Sequence, residues 1–236
     1  MSDTEHKPRR ETLTGITPDA LLDRLPDMGR LMVIGRHDGV THERIGPVEQ
    51  VQTREGAVCL SGQCHDARIR TGNVASIVLD TGSVMGGKVF PRLEFMTADG
   101  GTAFSIVGME GEGPFEMPLS DISRQPLAAT DARNASGQDK PEFDPADPAC
   151  PPFDLAVNAG AQVEILFDNG TLCQSWQGRI DAVKPAMGFL NVMTPDFHLH
   201  LKGGTLAGWQ AATHSRKGLH HDGAITALEL KSECFQ

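Results

Sequence analysis

Apolar and polar positions alternate over short stretches along most of this chain, with a period close to two. Leu31–Ile34, Val40–Ile45, Ala57–Leu60, Val74–Leu79, Leu93–Phe95 and Ala103–Val107 read as strands. Val48–Thr53 follows the same pattern more weakly, because a polar pair separates Val48 from Val51. His37-Asp38-Gly39 and Ala98-Asp99-Gly100-Gly101 read as turns between strands. Only Thr17–Leu25 has helical spacing: Thr17 caps it, Pro18 suits the first turn, Leu21, Leu22 and Leu25 form one stripe, and Pro26 ends it. Many short strands joined by glycine turns predict antiparallel sheets rather than parallel crossover units.

The pattern breaks between Arg124 and Asp154, where a polar run and Pro141, Pro145, Pro148, Pro151 and Pro152 predict a linker. It then returns. Val163–Phe167, the turn Asp168-Asn169-Gly170 and Thr171–Trp176 resemble Leu31–Ile45 at a spacing of 132 residues, which also relates Gly46 to Gly178, Val51 to Val183 and Ile69 to Leu201. Further on, Leu93–Phe95 matches Leu228–Leu230 at a spacing of 135, and no counterpart of Ala103–Val107 follows. Two copies of one antiparallel unit account for such a run. The expected fold is α+β but predominantly β, with two related antiparallel sheet units packed together and a few peripheral helices. The expected division is a first unit over 1–124, a Pro/Asp-rich linker over 125–158 and a second, shorter unit over 159–236.

Composition narrows the function. The chain has 236 residues and a formal charge of -10, which argues against a nonspecific nucleic-acid binder. No apolar run is long enough for a membrane-spanning helix, and Met1–Thr12 lacks the apolar core of a secretory signal, so a cytoplasmic location is expected. Five cysteines with no CxxC pair read as reduced thiols, and no spacing argues for zinc or any other dedicated metal centre. There is no nucleophile elbow, and the glycines at 108, 111 and 113 lack the ending of a phosphate-binding loop.

Histidine offers the most chemistry. In Phe197-His198-Leu199-His200-Leu201 a strand would turn both imidazoles to one face, either as an ordinary polar surface or as a ligand-facing one. His65 precedes Arg68 and Arg70, which would share a strand face able to meet an anion. His214 is a loop position beside Ser215-Arg216-Lys217. His37 reads as a turn residue and His42 as a solvent-facing strand residue. Met85 and Met193 offer thioethers, although core filling is the commoner use.

Several stretches carry a resemblance. In the first half these are Val40-Thr41-His42-Glu43-Arg44-Ile45-Gly46, Gly56–Gly62, His65–Arg70, Asn73–Val78, Val84-Met85-Gly86-Gly87-Lys88 and Leu93–Gly100. In the second half they are Gly188–Met193, Asp196–Leu201, Trp209 and Asp222–Leu230. Together they resemble the HemS/HmuS and ChuX/HutX-like superfamily of haem-utilisation and intracellular haem-carrier proteins. That resemblance implies a haem b ligand in a cleft beside the sheets, with a histidine on iron and basic groups on the propionates. His65, His198 and His214 are the iron-ligand candidates. Arg68, Arg70, Lys88 and Lys202 are the propionate candidates, and Met85, Met193 and Trp209 the pocket candidates. The implied role is haem carriage, storage or delivery, with a haem donor or acceptor protein as partner and self-association left open. The alternatives are an interaction module without haem and a haem-degrading enzyme.

Overall fold

Left-handed turns fold the apolar stretches back on themselves. In the computed structural model, which describes residues 6–128 and 142–235, Arg30–His37 and Val40–Pro47 form a hairpin with His37 opposite Val40. Asp38 (φ 43°) and Gly39 (φ 79°) take the positive φ values that a tight two-residue hairpin turn demands. Gln162–Asp168 and Leu172–Arg179 form the matching hairpin. There Asn169 accepts from the backbone amides of Thr171 and Leu172, tying the turn internally.

These two hairpins sit inside two large antiparallel sheets. Ten strands form the first sheet, in the order Ser123–Pro126, Arg10–Thr14, Ser76–Asp80, Arg92–Met96, Thr102–Gly108, Arg30–His37, Val40–Pro47, Phe197–Lys202, Phe189–Thr194, Lys184–Ala186. Eight form the second, in the order Gly208–Ala212, Ser215–Leu219, Ile225–Lys231, Gln162–Asp168, Leu172–Arg179, Asp66–Ile69, Ala57–Ser61, Gln50–Arg54. The architecture is predominantly β, with short helices at the periphery, as expected. What alternation could not show is an exchange: each half of the chain lends a three-stranded unit to the other half's sheet. Phe197–Lys202 docks on Val40–Pro47, and Asp66–Ile69 docks on Leu172–Arg179.

The sheets correct one sequence match. Arg92–Met96 lies between Ser76–Asp80 and Thr102–Gly108, whereas Ile225–Lys231 lies between Ser215–Leu219 and Gln162–Asp168. Ile225–Lys231 therefore takes the place of Thr102–Gly108 and not of Leu93–Phe95. The second half keeps that strand. Among the described residues it has no counterpart of the small hairpin Val84–Met85/Lys88–Val89, and that difference shifts the spacing.

The proline-rich stretch also holds a packed element. Cys150–Ala159 is a helix with Pro151 and Pro152 in its first turn, where their missing N–H groups cost nothing. It buries Phe153 completely and ends on left-handed Gly160 (φ 56°). Residues 129–141 of the expected linker lie outside the described residues. Thr17 caps Pro18–Leu22 as read, accepting from the Ala20 amide.

One core joins the sheets. Where the two hairpins cross, a Cβ on Gly35 would lie 2.4 Å from the Phe167 ring, so only glycine admits that ring. His42 is fully buried here, contrary to the solvent-facing reading. Alternation places it on the inner face with Val40 and Arg44. Its Nε2 donates to the Ile165 carbonyl (3.1 Å), and Gln174 Nε2, 132 positions away, donates to its Nδ1 (2.9 Å). Desolvation pulls its pKa down to about 3, so it is held neutral. Trp176 stacks on Phe197 at 4.7 Å, joining the second half's hairpin to its exchanged strand.

Candidate functional site

The outer face of the ten-stranded sheet follows from register. In Phe197–Lys202 the apolar residues Phe197, Leu199 and Leu201 are fully buried, which turns His198, His200 and Lys202 outward. His198 lies opposite Glu43 on one side and Met193 on the other, and Glu43 lies opposite Ile34. His200 lies between Thr41 and Asn191. Directly opposed residues share a face, so these side chains form two adjacent rows across the sheet.

Glu43 is the pivot. Its Oε2 is 3.2 Å from His198 Nδ1 and 3.8 Å from His200 Nε2. One ligand atom from each of the three residues lies within 4.8 Å of the others. Burial alone would raise the Glu43 pKa, but the two imidazoles outweigh it and hold the carboxyl down at about 2. Glu43 is therefore an anion in a largely enclosed position, 9% exposed.

Asn191 sets the state of His200. Its amide nitrogen faces the carbonyls of Lys184, Ala186 and Phe189 at 2.9, 3.4 and 3.1 Å. That choice of partners leaves its oxygen toward His200 Nδ1, 2.6 Å away, so Nδ1 must donate. In the neutral ring Nε2 then carries the lone pair, and Nε2 is the atom that faces Glu43.

Beside these rows the same face carries a cavity of about 320 Å³ lined by Ile34, Arg36, Arg92, Glu94, Thr102, Phe104 and Ser105. Arg36 lies two residues along the strand from Ile34 and opposite Thr41, which its Nε contacts at 3.2 Å. Imidazole, thioether, lysine and arginine thus share one open sheet face.

Of the residues singled out in the sequence, the fold brings His198, Lys202 and Met193 together here. His65 points inward, 2% exposed, with Nε2 on the Gly46 carbonyl (3.0 Å) and burial lowering its pKa. Arg68 lies on the other sheet and Arg70 just past the end of the same strand, where they meet Glu55 (3.2 Å) and Asp168 (4.0 Å). Lys88 donates to the Met109 carbonyl (2.6 Å) beside exposed Met85 in the small hairpin. Trp209 donates to the Pro148 carbonyl (3.0 Å) and meets Phe153 edge-on. His214 (φ 60°) lines a separate cleft of about 570 Å³ with Glu164, Lys231 and Glu233. Glu43, Asn191 and Arg36 were missed. Their only signal is outward parity on strands whose neighbours come from the other end of the chain.

The eight-stranded sheet has the corresponding rows with different chemistry. Ser175, opposite Leu166, donates to Asp66 at 2.9 Å in the place where Glu43 meets His198. Arg68 stands where His200 stands.

Residues 12–116 match the family described as Haem utilisation ChuX/HutX. Among solved structures, the heme degrading enzyme ChuS of Escherichia coli O157:H7 is 16% identical, over 95% of this chain and 81% of that one, with a TM-score of 0.74. Apo-PhuS, a heme-binding protein from Pseudomonas aeruginosa, is 17% identical over 95% and 81%, with a TM-score of 0.70. Holo-PhuS gives the same values. At such identities the shared property is the fold. No curated protein matches the sequence.

Proposed function

We propose that this chain, whose residues 12–116 match the family described as Haem utilisation ChuX/HutX, is a haem protein of that kind and that the outer face of its ten-stranded sheet binds haem for carriage and transfer. The observation that carries this reading is the setting of His198. It is part-exposed, its Nδ1 is 3.2 Å from the Glu43 carboxylate, and its Nε2 is left for iron. A histidine that donates its second N–H to a carboxylate is the usual form of an oriented metal ligand. Among the three candidate histidines, His198 alone pairs that orientation with an open sheet face.

The neighbours suit the rest of a porphyrin. Met193, 55% exposed and opposite His198, offers apolar surface to the ring. Lys202 on the same strand face, and Arg36 two strands away, or roughly 10 Å, would meet the propionates. These local cations decide propionate recognition in spite of the net charge of -10. Carriage needs only reversible ligation, so haem b bound through one imidazole and handed to an acceptor protein is the role we assign. None of the helices in the described residues is long and apolar enough to cross a membrane. A cytoplasmic site of action is part of the proposal.

Haem titration followed by absorption spectroscopy tests it. We expect a saturable Soret shift at one haem per chain. His198→Ala should remove the histidine-ligated spectrum, while His214→Ala and Arg68→Ala leave it unchanged. A wild-type protein that shows no saturable shift in either iron oxidation state would overturn the haem reading. A spectrum lost in His214→Ala and kept in His198→Ala would move the site to the other cleft. Conversion of bound haem to a bilin on adding a reductant would replace carriage by degradation.

A further inference from the structure

Glu43, His198 and His200 have a second property that does not depend on haem. We infer that these three side chains form a binding site for a single divalent transition-metal ion, with Asn191 as the residue that prepares His200 for it. The donor set of two imidazoles and one carboxylate is the kind that suits zinc and ferrous iron.

The distances are those of a site one small adjustment from closure. Ligands held about 2.0 to 2.2 Å from a tetrahedral zinc ion stand roughly 3.3 to 3.6 Å apart. The Glu43 Oε2 distances to His198 Nδ1 and His200 Nε2 are 3.2 and 3.8 Å, and the three ligand atoms span at most 4.8 Å. All three residues stand on adjacent paired strands, so backbone register fixes their spacing more tightly than a loop could.

The tautomer of His200 is the independent observation. Asn191 offers its amide protons to three backbone carbonyls and only its oxygen to His200 Nδ1. Nδ1 is thereby engaged as the donor, which leaves Nε2, the ring nitrogen that faces Glu43 Oε2 at 3.8 Å, as the atom that can take a metal ion. A hydrogen-bond acceptor on the far nitrogen is also what tunes a metal-binding histidine. On binding at His198 Nδ1, the ring proton moves to Nε2, so the imidazole stays neutral and no net proton is lost.

Haem iron and a bare ion would compete for His198, but the two readings fail separately. The ion test uses the full chain without haem, with Zn2+ alone in calorimetry and Co2+ alone in absorption spectroscopy. We expect one ion per chain and Co2+ bands of a low-coordinate nitrogen and oxygen site. His200→Ala and Glu43→Gln should each weaken Zn2+ binding at least 10-fold, and Asn191→Ala should weaken it about 10- to 100-fold. His200→Ala should still bind haem through His198. Circular dichroism on each variant controls for folding. If Zn2+ binds with the same affinity in His200→Ala and Glu43→Gln, the ion sits elsewhere and the site is refuted. If wild type takes up no ion at pH 7.5, the proposal falls.

Discussion

Two faces of this molecule are built on one plan and filled with different chemistry. On the ten-stranded sheet the crossing row reads Ile34, Glu43, His198, Met193. On the eight-stranded sheet it reads Leu166, Ser175, Asp66, Ser61. Both rows join one half's hairpin to the other half's exchanged strand, and each has one side-chain contact across that seam. In the first row the contact links a carboxylate to an imidazole and leaves His198 Nε2 over for a ligand. In the second it links a hydroxyl to a carboxylate, with no imidazole in the row. The strand plan makes a place for a site, and a few outward residues decide which copy of that place is used.

The inner faces differ in the same way, and the largest effect is expected there. Phe167 fills the space that Gly35 leaves open. Phe167→Ala should cost about 3 to 5 kcal/mol in denaturant unfolding. Gly35→Ala, which presses a methyl group into the same ring, should cost about 1 to 3 kcal/mol. A smaller loss in Phe167→Ala than in Gly35→Ala would mean that the crossing is loosely packed and the likeness of the halves superficial.

Acid response should be lopsided as well. His42 and Glu43 titrate, whereas Gln174 and Ser175, which stand in their places, do not. His42 has a folded pKa of about 3 against 6.5 when free, so below pH 6.5 the unfolded chain takes up a proton that the folded one refuses. Its contribution is complete above pH 6.5 and falls by about 1.4 kcal/mol per unit as pH drops toward 3. Glu43, at about 2 against 4.5, adds a second loss as pH falls from 4.5 toward 2. Urea midpoints measured from pH 7 to 4 should decline steadily in wild type and stay flatter in His42→Gln. An unchanged slope in that variant would assign acid sensitivity to other groups.

The smallest expected effect concerns the second seam. Ser175→Ala removes one part-buried hydrogen bond to Asp66 and should cost about 1 kcal/mol with haem and Zn2+ binding intact. A loss of either ligand in this variant would show that the two faces are coupled.

Much of the fold was legible because its signals are local. Alternation marked most strands, and His37-Asp38-Gly39 and Asp168-Asn169-Gly170 marked the two central turns. The 132-residue spacing also relates His42 to Gln174, which meet at the crossing, although reading His42 as solvent-facing gave no reason to pair them. Pairing between distant strands leaves no such trace. Nothing near Phe197 says that its strand lies beside Val40–Pro47, so Glu43 could not be joined to His198. His42 was misread because a strand buried on both faces loses the contrast between apolar and polar positions. The strand Arg10–Thr14, second from one end of the ten-stranded sheet, was missed because its residues are mostly polar, and the helix at Cys150 because prolines that end a helix can also begin one.

The exchange of strands has a consequence for synthesis. The edge of Val40–Pro47 stays bare until Phe197 is made, 150 residues later (197 − 47). At about 5 to 20 residues per second that is roughly 8 to 30 s of waiting for a nascent chain. An unpaired strand edge is a template for association with any neighbouring strand. Crowded ribosomes translating this message should therefore place a demand on chaperones out of proportion to the length of the finished protein.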